Sequence, residues 1–186
     1  MSIIVSEGEG KKFTPAPSGT HQAVCFGLWD IGYHDSTFNG KEVTLRKLIV
    51  GWEIDELMEE GEFKGKRFTI YKTYTASLSE KANLRRDLES WRDKVFTDEE
   101  RKRFDVEKLY GVNCMLSILH KEGKGGKTYA NIVSVSKLAK GMKPMLPENP
   151  REMPKWIERL KEKSVMDSKL SNTTEVVEPK EDEIPF

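Results

Sequence analysis

The chain has 186 residues, of which 37% are hydrophobic and 33% are charged, and its 31 basic and 31 acidic residues give a net charge of zero. This length predicts one ordinary domain with some additional chain. The balance excludes a uniformly basic or uniformly acidic protein. No apolar run reaches the ~18 residues of a membrane-spanning helix, and the first residues lack the basic and then apolar pattern of a signal peptide. We therefore expect neither feature.

Charge is distributed unevenly along the chain. Residues 164–186 contain two lysines and six acidic residues, which gives a net charge of −4. Residues 1–163 contain 29 basic and 25 acidic residues, which gives +4. A mildly basic body with an acidic tail is typical of proteins that bind polyanions.

The first half of the chain shows the two-residue periodicity of β-strands. Strands are predicted at residues 21–31, 42–54 and 66–75. Residues 32–40 are predicted to be a loop because they are rich in turn formers, and residues 55–65 are predicted to be an acidic connection.

The periodicity then changes to that of helices. Ser79 is a candidate N-cap for a helix whose apolar residues are Ala82, Leu84, Leu88 and Trp91. Thr97-Asp98-Glu99-Glu100 has the pattern of a capping box, and residues 105–110 are predicted to form a short helix that stops at Gly111. Strands follow at residues 112–119 and 128–135, joined by a glycine- and lysine-rich tip at residues 122–126.

Four regions are predicted along the chain. Residues 1–18 are a flexible arm, residues 19–141 form the folded domain, residues 142–163 are a Pro-rich linker with a short amphipathic helix, and residues 164–186 are a disordered acidic tail. The expected fold is mainly β. Five strands with a helical insertion between the third and fourth follow the order of an OB-fold, a small barrel that binds oligonucleotides on its strand 2–3 face and through its 1–2 and 4–5 loops.

Single-stranded nucleic acids are bound by aromatic rings that stack on bases and by cations that neutralise phosphates. Residues of both kinds fall on the surfaces that an OB-fold uses. The predicted DNA-binding residues are Trp29, Tyr33, Phe38, Arg46, Lys47, Arg67, Tyr71, Lys72, Tyr74, His120, Lys121, Lys124, Lys127 and Tyr129. Trp52 and Phe68 are predicted to be core residues.

Two other functions are considered. Asp55, Glu62 and Lys64 imitate the acidic pattern of a metal-dependent nuclease, although Glu62 and Lys64 fall in a predicted turn instead of on rigid strands. An RNA-binding OB module is the other alternative. Cys25 and Cys114 are expected to be buried, and because the histidines are scattered no zinc site is expected. No catalytic set, metal or cofactor is predicted.

The last residues combine acidic and apolar side chains with a terminal carboxylate, a pattern that suits a hydrophobic pocket with a basic rim on a partner protein. The predicted partner-binding residues are Asp182, Glu183, Ile184, Pro185 and Phe186. This ending resembles the acidic tip of bacterial single-stranded DNA-binding proteins.

The body, over roughly residues 18–145, resembles the OB-fold single-stranded DNA-binding proteins of phages and prophages. The similar segments are Gly19-Thr20-His21-Gln22-Ala23-Val24-Cys25, Trp52-Glu53-Ile54, Ser77-Leu78-Ser79-Glu80-Lys81-Ala82-Asn83-Leu84-Arg85 and the hairpin 116–135 with His120 and Tyr129-Ala130-Asn131-Ile132. The resemblance implies a non-enzymatic protein that coats single-stranded DNA during replication, recombination or repair in the host cytoplasm and recruits partners through its tip. It leaves open whether the protein forms a homo-oligomer.

Overall fold

A computed structural model describes residues 14–165, which contain one five-stranded antiparallel sheet in the spatial order β3-β2-β1-β4-β5. The strands are β1 (Gly19–Phe38), β2 (Lys41–Leu57), β3 (Arg67–Thr75), β4 (Asn113–Glu122) and β5 (Thr128–Lys137). The prediction of a mainly β domain with five strands is confirmed. The central strand, β1, pairs with β2 on one side and with β4 on the other.

Helices α1 (Asn83–Arg92) and α2 (Asp98–Lys102) lie between β3 and β4, as predicted, and α3 (Lys155–Glu162) follows the sheet. The predicted capping box of α2 is present, with Thr97 and Glu100 bonded reciprocally. The prediction of Ser79 as the N-cap of α1 is wrong: its carbonyl closes a turn with the Ala82 N–H, and Ala82 is the N-cap. Within residues 14–165 no helix has both the length and the apolar character needed to cross a membrane.

The first hairpin is longer than predicted. β1 continues to Phe38 and β2 starts at Lys41, so the expected loop at residues 32–40 is mostly strand. The turn consists of Asn39 and Gly40, whose φ angles of 50° and 75° are those of a two-residue turn with positive φ at both positions. Such a turn matches the twist of the two strands, and Asn-Gly is its preferred sequence. The Asn-Gly dipeptide therefore favours a tight hairpin, although the polar composition around it had predicted a loop.

A β-bulge in β1 decides which side chains face which side of the sheet. The register with β2 shifts between Cys25 and Gly27. Strict alternation would place Phe26 and Leu28 on the same face. The extra residue instead directs Cys25 and Leu28 into the main core and places Phe26 and Trp29 in a second cluster, because a bulge reverses the alternation that follows it.

The main core lies on one face of the sheet, here called the inner face. β2 contributes Leu48, Val50, Trp52 and Ile54, and α1 covers them with Leu84, Leu88 and Trp91. The ring centroids of Trp52 and Trp91 are 5.7 Å apart. Trp52 and Phe68 are buried here, so both predictions of core residues are confirmed. The opposite face is called the outer face.

Candidate nucleic-acid interface

The outer face of β1 and β2 supports the indole of Trp29 on two glycines. A Cβ atom on Gly27 would lie 2.1 Å from the Trp29 ring, and one on Gly51 would lie 2.9 Å from it. Both distances are shorter than carbon atoms tolerate. The two glycines therefore let the indole lie directly on the backbone of the sheet.

Aromatic rings from β1 and β3 meet on this surface. The ring centroids of Phe26 and Trp29 are 5.6 Å apart, those of Phe26 and Tyr71 are 5.8 Å apart, and those of Trp29 and Tyr71 are 6.1 Å apart. These separations are typical of interacting aromatic pairs. Burial raises the pKa of the Tyr71 phenol. The structure thus brings together the two aromatic residues that the sequence analysis placed on the strand surface, Trp29 and Tyr71.

Helix α3 covers these rings. Ile157 is fully buried against Phe26, Trp29 and Ile49, and Leu160 packs beside it. Only 5% of Trp29 remains exposed. The prediction that Trp29 stacks on a base is therefore wrong for this structure, since the covering helix occupies the position that a base would need.

The contact between α3 and the sheet is apolar and buried. Ile157 is fully buried, and a fully buried isoleucine side chain is worth about 1.5–3 kcal/mol. Stacking one base on an aromatic ring contributes about 1–3 kcal/mol. One base stacked on Trp29 would therefore gain no more than the undocking of Ile157 alone would cost.

The Pro-rich segment before α3 lies across the outer face, and we call residues 143–149 the strap. The side-chain amide of Gln22 donates to the Lys143 carbonyl at 2.8 Å. Asn113 exchanges two hydrogen bonds of 2.8 Å with the backbone of Met145. The sequence predicted a linker here, whereas the structure shows a segment bonded to β1 and β4.

The strongest attachment of the strap is a buried carboxylate. Glu53 is fully buried and accepts hydrogen bonds from the backbone N–H groups of Glu148 at 2.9 Å and Asn149 at 2.6 Å. Arg67 donates to Glu53 at 3.3 Å and to the Leu146 carbonyl at 2.8 Å. Arg67, predicted to contact DNA, is committed to these internal bonds and to an ion pair with Glu148.

The chain is also attached just beyond α3. The hydroxyl of Ser164, which is buried, accepts a hydrogen bond of 3.0 Å from the Tyr33 N–H. Gly32 makes room for it, because a Cβ atom there would lie 2.6 Å from the Ser164 hydroxyl. The strap and α3 are therefore bonded to the sheet at both ends.

Two predicted DNA-binding residues belong to the inner face. Tyr74 is buried and donates its hydroxyl to Asp87 at 2.9 Å, and Lys72 binds the same carboxylate at 2.7 Å. Burial raises the pKa of Tyr74, and the adjacent Asp87 carboxylate adds to the shift. The prediction that Tyr74 lies on a DNA-binding surface is therefore wrong. Lys72 forms an ion pair with the buried Asp87, because a buried carboxylate needs a charged or hydrogen-bonding partner.

The hairpin of β1 and β2 carries four more predicted residues. Arg46 is exposed, but it forms an ion pair with Asp30, to which its Nε donates at 3.0 Å. Tyr33 and Lys47 are half-buried. The backbone of Phe38 is at the end of β1, whereas its side chain lies outside the described part of the structure. The charge of Arg46 is thus neutralised by Asp30.

The hairpin of β4 and β5 keeps its predicted residues open on the outer face. Lys121 pairs in register with Tyr129, which is 48% exposed, and the neighbouring Leu119 is 54% exposed. The Tyr129 ring packs over Gly123, where a Cβ atom would lie 2.4 Å from it. Lys124 and Lys127 are exposed at the tip. Leu119 was not predicted as a site residue, although its place in the alternation of β4 could have indicated it.

The three lysines at and beside the tip of this hairpin have no acidic partner among the described residues. Among the ion pairs within residues 14–165, none involves Lys121, Lys124 or Lys127. His120 is exposed at the end of β4, and its Nε2 is 2.8 Å from the Ala16 carbonyl. An exposed ring with unpaired cations is suited to binding a flexible polyanion.

The nuclease residues are not assembled into a recognisable centre. Asp55 is exposed near the end of β2, and Lys64 lies in a turn where its N–H donates to the Gly61 carbonyl at 3.2 Å. Across residues 14–165 no three or more His, Cys, Asp or Glu side chains are grouped so that they could hold a metal ion.

Comparison of the sequence with protein-family models and with curated proteins finds no match. The predicted tip at residues 182–186 lies outside the described residues.

Proposed function

We propose that this protein binds single-stranded DNA in phage replication or recombination, without catalysing a reaction, and recruits partner proteins through its C-terminal tip. The strand order supports a five-stranded OB-fold, because β1 pairs with both β2 and β4 and the helical insertion lies between β3 and β4. That order belongs to the barrel whose strand face and loops bind oligonucleotides.

The observation that carries the proposal is the open outer face of the β4–β5 hairpin. Tyr129 offers a half-exposed ring that Gly123 holds in place, and Lys121 is its cross-strand neighbour. Bases stack on such rings whatever their sequence, while lysines neutralise phosphates. The hairpin therefore supports binding to a single strand, whose bases are accessible to the ring.

The affinity of the hairpin for a single strand should fall as the salt concentration rises. Each neutralised phosphate of a single strand contributes roughly −0.7 to the slope of log affinity against log salt concentration. Three lysines of the hairpin would thus contribute about −2. Stacking on Tyr129 would contribute about 1–3 kcal/mol, which is roughly 5- to 150-fold in affinity.

Fluorescence anisotropy with labelled oligo-dT, in the presence of EDTA, tests the proposal. We expect wild type to bind the single strand more tightly than duplex DNA of the same length, and Tyr129→Ala to bind 5- to 150-fold more weakly. Tyr110→Ala is the matched control, because Tyr110 is similarly exposed but packs against Arg151 away from the hairpin. Absence of binding, or equal binding to duplex DNA, would refute the proposal.

The RNA-binding alternative is tested in the same titration. Replacing oligo-dT with oligo-U of equal length measures the preference for deoxyribose. Tighter binding to the RNA strand would favour an RNA-binding module over the DNA-binding protein proposed here.

A further inference from the structure

Helix α3, which covers part of the outer face, carries a partly exposed tryptophan of its own. Trp156 is 42% exposed, although the adjacent Ile157 is fully buried. Helical spacing of three and seven residues places Arg159 and Lys163 on the same side as Trp156. We call these three residues the α3 stripe. Trp156 falls in the short amphipathic helix predicted within residues 142–163 and is not one of the predicted site residues.

The α3 stripe carries positive charge that nothing neutralises within the described residues. Arg159 and Lys163 are exposed, and none of the ion pairs among residues 14–165 involves either of them. The acidic residues of the helix, Glu158 and Glu162, recur at a spacing of four on a neighbouring side. By contrast, the arginines of α1 are paired: Arg85 binds Glu89 and Arg92 binds Glu100.

The indole of Trp156 is held in place before any ligand arrives. Its ring packs edge-on against Tyr71, with centroids 5.0 Å apart and planes at 86°. The buried Ile157 and the Ser164–Tyr33 hydrogen bond fix the helix beneath it. A rigid, partly exposed ring loses little conformational freedom when a base stacks on it.

We propose that the α3 stripe is a second contact for single-stranded DNA, in which a base stacks on Trp156 and Arg159 and Lys163 bind phosphates. This inference rests on the proposed function and extends its site. Helix α3 covers Trp29 and supplies Trp156 in its place on the outer face. The stripe and the β4–β5 hairpin are then two contacts for one strand.

Intrinsic tryptophan fluorescence provides the first test. The chain has four tryptophans, and the other three, Trp29, Trp52 and Trp91, are buried. We expect oligo-dT to quench wild-type fluorescence and Trp156→Phe to abolish most of that quenching while keeping a ring against Tyr71. Equal quenching in both proteins would overturn the inference.

Affinity provides the second test. Trp156→Ala should weaken oligo-dT binding by 5- to 150-fold, and Arg159→Ala with Lys163→Ala should reduce the salt slope by about 1.4. Lys161→Ala is the control, since Lys161 is exposed on the same helix but lies two residues from both Arg159 and Lys163 and therefore faces away from the stripe. Because Arg159 and Lys163 form no internal ion pair, their replacement tests the site without disturbing the fold, which circular dichroism verifies.

The outcomes separate this inference from the proposed function. If wild type binds oligo-dT and Tyr129→Ala weakens binding, but the stripe variants bind as wild type does, the inference alone is wrong. Tighter binding by the Trp156→Ala variant would overturn it as well, because α3 would then be a cover that DNA displaces. If wild type binds no single strand, both proposals fail.

Discussion

The carboxylate of Glu53 is fully buried on the outer face and accepts a hydrogen bond of 3.3 Å from the guanidinium of Arg67. The same carboxylate binds two backbone N–H groups of the strap. It therefore connects β2, β3 and a segment 95 residues further along the chain. This connection brings the chain to the point from which α3 continues across the outer face.

Replacing Glu53 with Gln should destabilise the protein by about 3 kcal/mol. Glutamine has no charge to pair with Arg67, and its single acceptor oxygen cannot satisfy both backbone N–H groups of the strap. Chemical denaturation measures the change. Glu148→Gln is the control: Glu148 also binds Arg67, but its side chain is 57% exposed, so about 0–1 kcal/mol is expected. Equal effects of the two variants would contradict the role assigned to Glu53.

Both cysteine thiols should be unreactive in the folded protein. Cys25 and Cys114 are free and buried, and burial raises the pKa of the Cys25 thiol to about 12. Burial also raises the pKa of Cys114. Because the thiolate is the reactive form, a thiol reagent at pH 8 should label neither residue until denaturant is added, after which both should react. Mass spectrometry counts the labels, and rapid labelling without denaturant would contradict the burial.

Glu100 should make the stability depend on acidic pH. Hydrogen bonds from the Thr97 N–H and then from Arg92 lower its pKa from 4.5 to about 2. Since the folded state holds the proton more weakly than the unfolded state does, the stabilisation is complete above about pH 5 and is lost as pH falls towards 2. The melting temperatures of wild type and Glu100→Gln should differ most at neutral pH and converge near pH 2.

A surface carboxylate of the same helix is the comparison for Glu100. Glu99 binds Lys102 with both side chains largely exposed, so Glu99→Gln should change the melting temperature little. If both variants melt alike at every pH, the capping contacts of Glu100 do not stabilise the protein.

Phe186 should affect partner binding and not DNA binding. A buried phenylalanine side chain is worth about 1.5–3 kcal/mol, so deleting Phe186 should weaken a partner complex by about tenfold or more. Calorimetric titration against host proteins that bind the tips of bacterial single-stranded DNA-binding proteins measures this loss, and oligo-dT anisotropy should be unchanged. Equal partner affinity with and without Phe186 would show that the tip is not the recruiting element.

The sequence alone determined the features that depend on near neighbours. The two-residue periodicity predicted the strand that became β2, whose alternate residues Leu48, Val50, Trp52 and Ile54 form one face. The Thr97–Glu100 capping box located the start of α2. Such patterns work because a strand or a cap is specified by residues a few positions apart. The same locality explains why the glycine- and lysine-rich tip between β4 and β5 was found.

Only the tertiary structure decided which aromatic residues remain accessible. Trp29 and Tyr129 both occupy strand positions outside the main core, yet α3 covers Trp29 and leaves Tyr129 half exposed. Nothing near Trp29 in the sequence indicates this, because Ile157 comes from a distant part of the chain. The strap that precedes Ile157 is itself bound by the distant Glu53. Local patterns show which side chains face outward, whereas long-range packing determines whether solvent or another segment meets them.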